Sequence, residues 1–136
     1  MLLIDNSAWA RRRLPGARDR IAAAIEAGDV AVCLPFLLEA GYSARSGADQ
    51  AALIGDLALL PRVEIGTPVE RLALQAQSEL AAVGHHRLPP TDLVIAACAH
   101  QSGYAVMHYD HDYDVIAANS SLDFTSDWVV PKGTID

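Results

Sequence analysis

The chain has 136 residues, enough for one domain with a buried core, and its hydrophobic fraction of 51% excludes a disordered segment. No apolar run approaches the ~18 residues of a membrane span. No basic segment precedes the first apolar stretch, which Asp5 soon interrupts, so the expectation is a cytoplasmic protein without a secretory signal. The formal charge of −7 opposes polyanion binding as a sum, but its distribution does not. Residues 1–20 carry five arginines against two acids, while residues 88–136 carry seven acids against Lys132 alone. A basic first helix beside an acidic pocket suits a polyanion held by arginine and cut with a metal ion; a solvated helix face fits the same charges.

In chain order, apolar runs alternate with helical patterns, which predicts an α/β domain spanning residues 1–136 around a mostly parallel sheet. The first strand covers about residues 2–5, and Ser7 is placed to cap a short helix that stops near Pro15-Gly16. A helix from about Asp19 to Ala27 ends at Gly28, and residues 31–34 form the second strand. Pro35 starts a helix holding Glu39, another runs from about Asp49 to Leu59, and residues 62–65 form the third strand. Thr67-Pro68 opens a long amphipathic helix ending at Gly84. Pro89 to Asp92 launches one that is apolar all round and therefore buried. Residues 105–109 are the fourth strand, residues 112–119 a short helix, and Trp128 to Val130 an edge strand. Cys33 and Cys98, in apolar surroundings without metal-like spacing, read as buried free thiols.

Four acids distant in sequence fall where such a fold brings them together. Asp5 and Asp110 follow strands, Asp92 opens a helix, and Glu39 lies one turn into another. Sites of open α/β sheets form at the carboxyl ends of the strands. Acids gathered on that rim repel one another and need a cation, and magnesium or manganese prefers such oxygen donors. Each acid alone is better explained as a helix cap or surface group, and all four falling on one edge reverses that preference.

The motifs Asp5-Asn6-Ser7, Pro35 with Glu39, Asp92-Leu93-Val94-Ile95, and His108-Tyr109-Asp110-His111-Asp112-Tyr113 together resemble the PIN-domain ribonucleases. Acid order, length and the closing Trp128-Val129-Val130-Pro131 look most like VapC, the toxin of bacterial VapBC toxin–antitoxin pairs. The resemblance implies a three-layer sandwich with a parallel sheet of four or five strands in the order 3-2-1-4-5, flanked by helices. It also implies an endoribonuclease using one or two Mg2+ or Mn2+ ions on transfer or ribosomal RNA. Asp5, Glu39, Asp92 and Asp110 match the family's acidic metal site. Ser7 matches its small hydroxyl residue, and Asp112 an auxiliary acid, although Asp112 also suits the N-cap of the next helix. The implied partners are a VapB-like antitoxin whose arginine reaches the acids and a second copy of the chain, for which residues 49–59 are a candidate contact. Arg11, Arg12 and Arg13 are candidate contacts to RNA or partner that the resemblance itself does not fix.

Other readings are weaker on the residues. A receiver domain needs paired acids after its first strand and a lysine near its last strand, but Asp5 stands alone and the only lysine is Lys132. A haloacid-dehalogenase-type phosphatase needs an Asp where Ser7 stands. A non-catalytic PIN module binding RNA or protein would gain nothing from uncompensated acids. His85, His86, His108 and His111 lack the further ligands of a zinc site and read as surface or packing residues, as Trp9 and Trp128 read as packing anchors.

Overall fold

The computed structural model describes residues 1–135. Five strands, β1 (Leu2–Ile4), β2 (Val30–Cys33), β3 (Arg62–Val63), β4 (Ala105–His108) and β5 (Ser126–Trp128), form one sheet in the order β3-β2-β1-β4-β5. Every pairing is parallel, with Leu3 in register with Ala31 on one side and Val106 on the other. This is the order that the resemblance implies. A parallel sheet is covered on both faces, which explains why the central strands are apolar along their length. All four residues of β2 are buried, and His108 is the polar exception in the sheet's centre.

Seven helices connect the strands among the described residues: α1 (Asn6–Trp9), α2 (Ala17–Glu26), α3 (Leu34–Tyr42), α4 (Gly47–Leu57), α5 (Thr67–Ala82), α6 (Pro90–Ser102) and α7 (Asp112–Asn119). Right-handed crossovers put α1–α4 on one face and α5–α7 on the other. The packing divides the same way: α1 and α4 lie against α3, while α5 and α7 lie against α6. As its composition predicts, α6 is the buried helix, with Leu93 and Ile95 to Ala99 enclosed. Gly103 ends it in the left-handed conformation at φ 72°, where a side chain would strain the backbone. Cys33 and Cys98 are buried free thiols, as expected.

Two local expectations need correction. Ser7 does not cap α1; Asp5 does, in extended backbone, accepting the Ser7 N–H, because a carboxylate one residue past the strand already reaches that donor. That helix also stops at Trp9 and not near Pro15-Gly16, the residues between forming turns. On residues 49–59, Leu57 is buried, Leu53 and Ile54 are half-buried, and Leu59 is 84% exposed. Leu34, Leu38 and Tyr42 on α3 are open as well, with Tyr42 92% exposed. No helix among the described residues is long and apolar enough to cross a membrane.

Candidate metal centre

Parallel strands deliver Asp5 and Asp110 to the same edge of the sheet from neighbouring strands β1 and β4. The Asp5 N–H donates to the Met107 carbonyl at 3.0 Å, so pairing continues one residue past β1 and fixes the backbone under the carboxylate. Both Asp5 oxygens have donors. Oδ2 accepts from Ser7 N at 2.9 Å and from Ser7 Oγ at 2.5 Å, and Oδ1 accepts from the Tyr113 hydroxyl at 2.7 Å. Ser7 Oγ in turn accepts the Tyr109 N–H at 2.9 Å, tying the end of β1 to the end of β4.

Asp92 stands differently. It lies in the first turn of α6, 7% exposed, and its Oδ2 has no hydrogen-bond partner. Its Oδ1 is 3.4 Å from the Tyr113 hydroxyl. Burial, then the charges of Asp5, Asp110, Asp112 and Glu39, push its carboxyl up to about 8. Those neighbours come from the end of β1, from α3 and from the β4–α7 turn with the start of α7, and all act on the one α6 carboxyl. Oxygens of Asp92, Asp110 and Asp112 all lie within 4.8 Å of one another. Asp112 therefore faces the acids. It is not the N-cap of α7, a position His111 occupies; instead its N–H donates to Asp110 Oδ1 at 2.9 Å. Burial and the charge of Asp110 raise its carboxyl. Glu39, half-buried on α3, is raised by burial and by Asp5, with Thr91 hydrogen-bonding it from α6 in the opposite sense.

The donor set fits a hard divalent cation. Three carboxylates from different elements converge, and one buried carboxylate oxygen lacks any partner that would satisfy it without a cation.

Beneath the acids lies a polar support built on His108, one of the histidines expected to be surface or packing residues. His108 is fully buried between the rings of Tyr113 and Trp128, at centroid distances of 4.8 and 5.0 Å. Its Nδ1 accepts the Asp110 N–H at 3.0 Å, and its Nε2 is 2.7 Å from Ser126 Oγ. Ser126 donates to Asp114 Oδ1 at 2.6 Å, and the Trp128 indole N–H also reaches Asp114. An ionised Asp114 only accepts, so Ser126 must donate to it and take the His108 Nε2–H, which leaves Nδ1 for Asp110. Tyr113 and His108 were accessible to sequence reasoning in one respect. Tyr113 is three residues past Asp110 and starts a helix, which turns it toward the same pocket.

The three candidate arginines diverge. Arg11 donates to the Ser7 carbonyl and lies over the Tyr109 ring at 4.6 Å, whereas Arg12 lies over Trp9 at 4.5 Å on the other side of α1. Arg13 lines the same hollow as Arg12. Arg20 is committed elsewhere, joining α2 to β5 through Asp127 at 2.7 Å.

The PIN domain family model matches residues 3–119. Ribonuclease VapC18 of Mycobacterium tuberculosis (strain ATCC 25618 / H37Rv) is 41% identical over 135 residues, covering 97% of each protein. Ribonuclease VapC51 of the same strain is 37% identical over 134 residues, covering 98% of this chain and 96% of the relative. Among solved structures, DNA-bound VapBC from Salmonella typhimurium superposes with a TM-score of 0.73 at 19% identity, covering 93% of this chain and 96% of the other. VapBC-5 from M. tuberculosis superposes at 0.64 and 21% identity, covering 90% and 95%. Residues 3–119 thus carry the family pattern and the backbone carries its fold, and the chain belongs to the PIN domain family as a VapC protein.

Proposed function

We propose that residues 1–136 form one PIN domain that hydrolyses RNA phosphodiester bonds in the cytoplasm with Mg2+ or Mn2+, as the toxin of a toxin–antitoxin pair. The observation that carries this reading is Asp92, whose buried Oδ2 has no partner and which has a carboxylate oxygen within 4.8 Å of oxygens of Asp110 and Asp112. Asp92, Asp110 and Asp112 would hold the ion, with Asp5 and Glu39 adding negative charge from β1 and α3. A bound divalent ion would lower the pKa of a water and offset charge on the phosphate and leaving oxygen. The chain's own residues supply the rest. Ser7 and Tyr113 hold the Asp5 carboxylate still, and the elevated Tyr113 hydroxyl keeps its proton as a donor, because burial and the charges of Asp5 and Asp92 oppose its ionisation. Glu39, raised and half-exposed at the rim, is suited to take a proton from the attacking water.

The curated relatives are named ribonucleases, and one structural neighbour is described as a member of the VapBC family of toxin-antitoxin systems. By that likeness a VapB-like antitoxin would bind this chain, and a homodimer would form the core of the complex. The exposed Leu34, Leu38 and Tyr42, on the helix that bears Glu39, are apolar surface that such partners would cover. The test is cleavage of RNA by the purified chain with added Mg2+ or Mn2+. Activity must vanish with chelator and in Asp92→Asn; cleavage that survives chelation rejects the reading.

A further inference from the structure

Main-chain pairing between β4 and β5 ends at His108, whose carbonyl accepts the Val129 N–H at 2.7 Å. The next two amides of β4's end go to side chains. Ser7 Oγ takes the Tyr109 N–H at 2.9 Å, and His108 Nδ1 takes the Asp110 N–H at 3.0 Å. Asp110 Oδ1 in turn accepts the Asp112 N–H at 2.9 Å. The Asp110 carboxylate is therefore fixed within its own turn, and that turn is fixed to the sheet by Ser7 on one side and His108 on the other.

The bond from His108 depends on a chain that ends in a charge. Nδ1 can accept only if it carries no hydrogen, so the ring must be the neutral Nε2–H tautomer. Ser126 Oγ, 2.7 Å from Nε2, takes that hydrogen and donates its own to Asp114 Oδ1 at 2.6 Å. Asp114 on α7 also accepts the Trp128 indole N–H at 3.1 Å and lies 3.4 Å from His111 Nδ1. A carboxylate at the end of such a chain makes its bond charge-assisted, and each bond polarises the next. Without that carboxylate the Ser126 hydroxyl is free to turn and donate to Nε2, which favours the tautomer whose Nδ1–H opposes the Asp110 N–H. Packing alone does not call for an imidazole at a fully buried position, since an apolar side chain would leave no ring nitrogens to satisfy.

Resting on the ion site proposed above, we infer that Asp114 and Ser126 are positioning residues: through the His108 ring they hold the Asp110 backbone, and with it a carboxylate that binds the divalent ion. Two measurements without RNA test this: Mn2+ affinity, from the paramagnetic resonance signal of free Mn2+, and amide exchange in the metal-free 15N-labelled chain. Ser126→Ala should weaken Mn2+ binding about tenfold, the size of effect expected when a partner supporting a metal ligand is lost. It should also speed exchange of the Asp110 amide beyond any change at the Val32 amide, which donates to the Pro61 carbonyl and reports the stability of the sheet elsewhere. Ser126→Thr, which keeps the hydroxyl, should restore both. Asp114→Ala should weaken binding as Ser126→Ala does, and the double variant should bind no more weakly than either, because a chain already cut transmits nothing to a second cut. Wild-type affinity in Ser126→Ala, or an Asp110 amide that exchanges as in wild type, overturns the proposal and leaves the chain a support for β5 and α7 alone. Losses that add in the double variant overturn it as well. A wild-type chain that binds no Mn2+ rejects the ion site itself, a failure seen before any variant is compared.

Discussion

The Tyr113 hydroxyl donates to Asp5 Oδ1 across 2.7 Å, joining residues 108 positions apart, and lies 3.4 Å from Asp92. One buried phenol thus spans acids from β1 and α6, and its own proton decides which it serves. Tyr113→Phe keeps the ring against His108 but leaves Asp5 with Ser7 as its remaining donor. Loss of a hydrogen bond to a charged group costs about 1.5–3 kcal/mol. The variant should lose stability in that range in urea unfolding with chelator present, and cleavage should fall as Asp5 gains freedom.

Asp92→Asn should act in opposite directions on function and on the metal-free fold. The carboxylate is buried without a partner for Oδ2, so its ionised form is unfavourable when no cation is bound. At pH 8.5 with chelator, the variant should melt no lower than wild type. Added Mn2+ should then raise the wild-type Tm and leave the variant's unchanged. A variant that melts well below wild type would show that the carboxylate itself supports the fold.

The same group sets a pH dependence. A carboxyl raised from 3.8 to about 8 binds its proton more tightly in the folded chain than in the unfolded one. Its contribution to stability is complete below pH 4 and is lost as pH rises through 8. A divalent ion needs the deprotonated ligand, so ion and proton compete. Thermal unfolding with Mn2+ and with chelator should therefore differ more at pH 8.5 than at pH 5.5. An equal difference at both pH values would place the ion elsewhere.

His108 and Ser126 should differ in weight. His108→Ala removes a fully buried ring and the acceptor of the Asp110 N–H, a cavity and an unsatisfied donor together worth about 2–5 kcal/mol. Ser126→Ala removes one link, after which Asp114 still holds the Trp128 indole, and should cost about 1 kcal/mol. Urea midpoints of the two variants measure the ratio. Equal losses would mean that the imidazole contributes through this chain of hydrogen bonds and not through its packing.

The sequence by itself determined the alternation of strands and helices, the parallel sheet and the order of the acids. Those features follow from local pattern: apolar runs long enough for strands, Pro35, Pro68 and Pro90 in first turns, and Gly28, Gly84 and Gly103 at helix ends. Most boundaries moved by a residue or two, but α1 ends at Trp9, well before Pro15-Gly16, and Asp5 and not Ser7 caps it. Which acids share a ligand-sized space was decided only in three dimensions. Asp110 and Asp112 are joined locally, the Asp110 carboxylate taking the N–H two residues on, but that Asp92 on α6 meets both is tertiary. The split of Arg11 from Arg12 around α1, and the burial of His108 beneath Asp110, are tertiary for the same reason. Periodicity fixes which face a residue occupies, but the partner awaiting it on that face comes from a distant part of the chain.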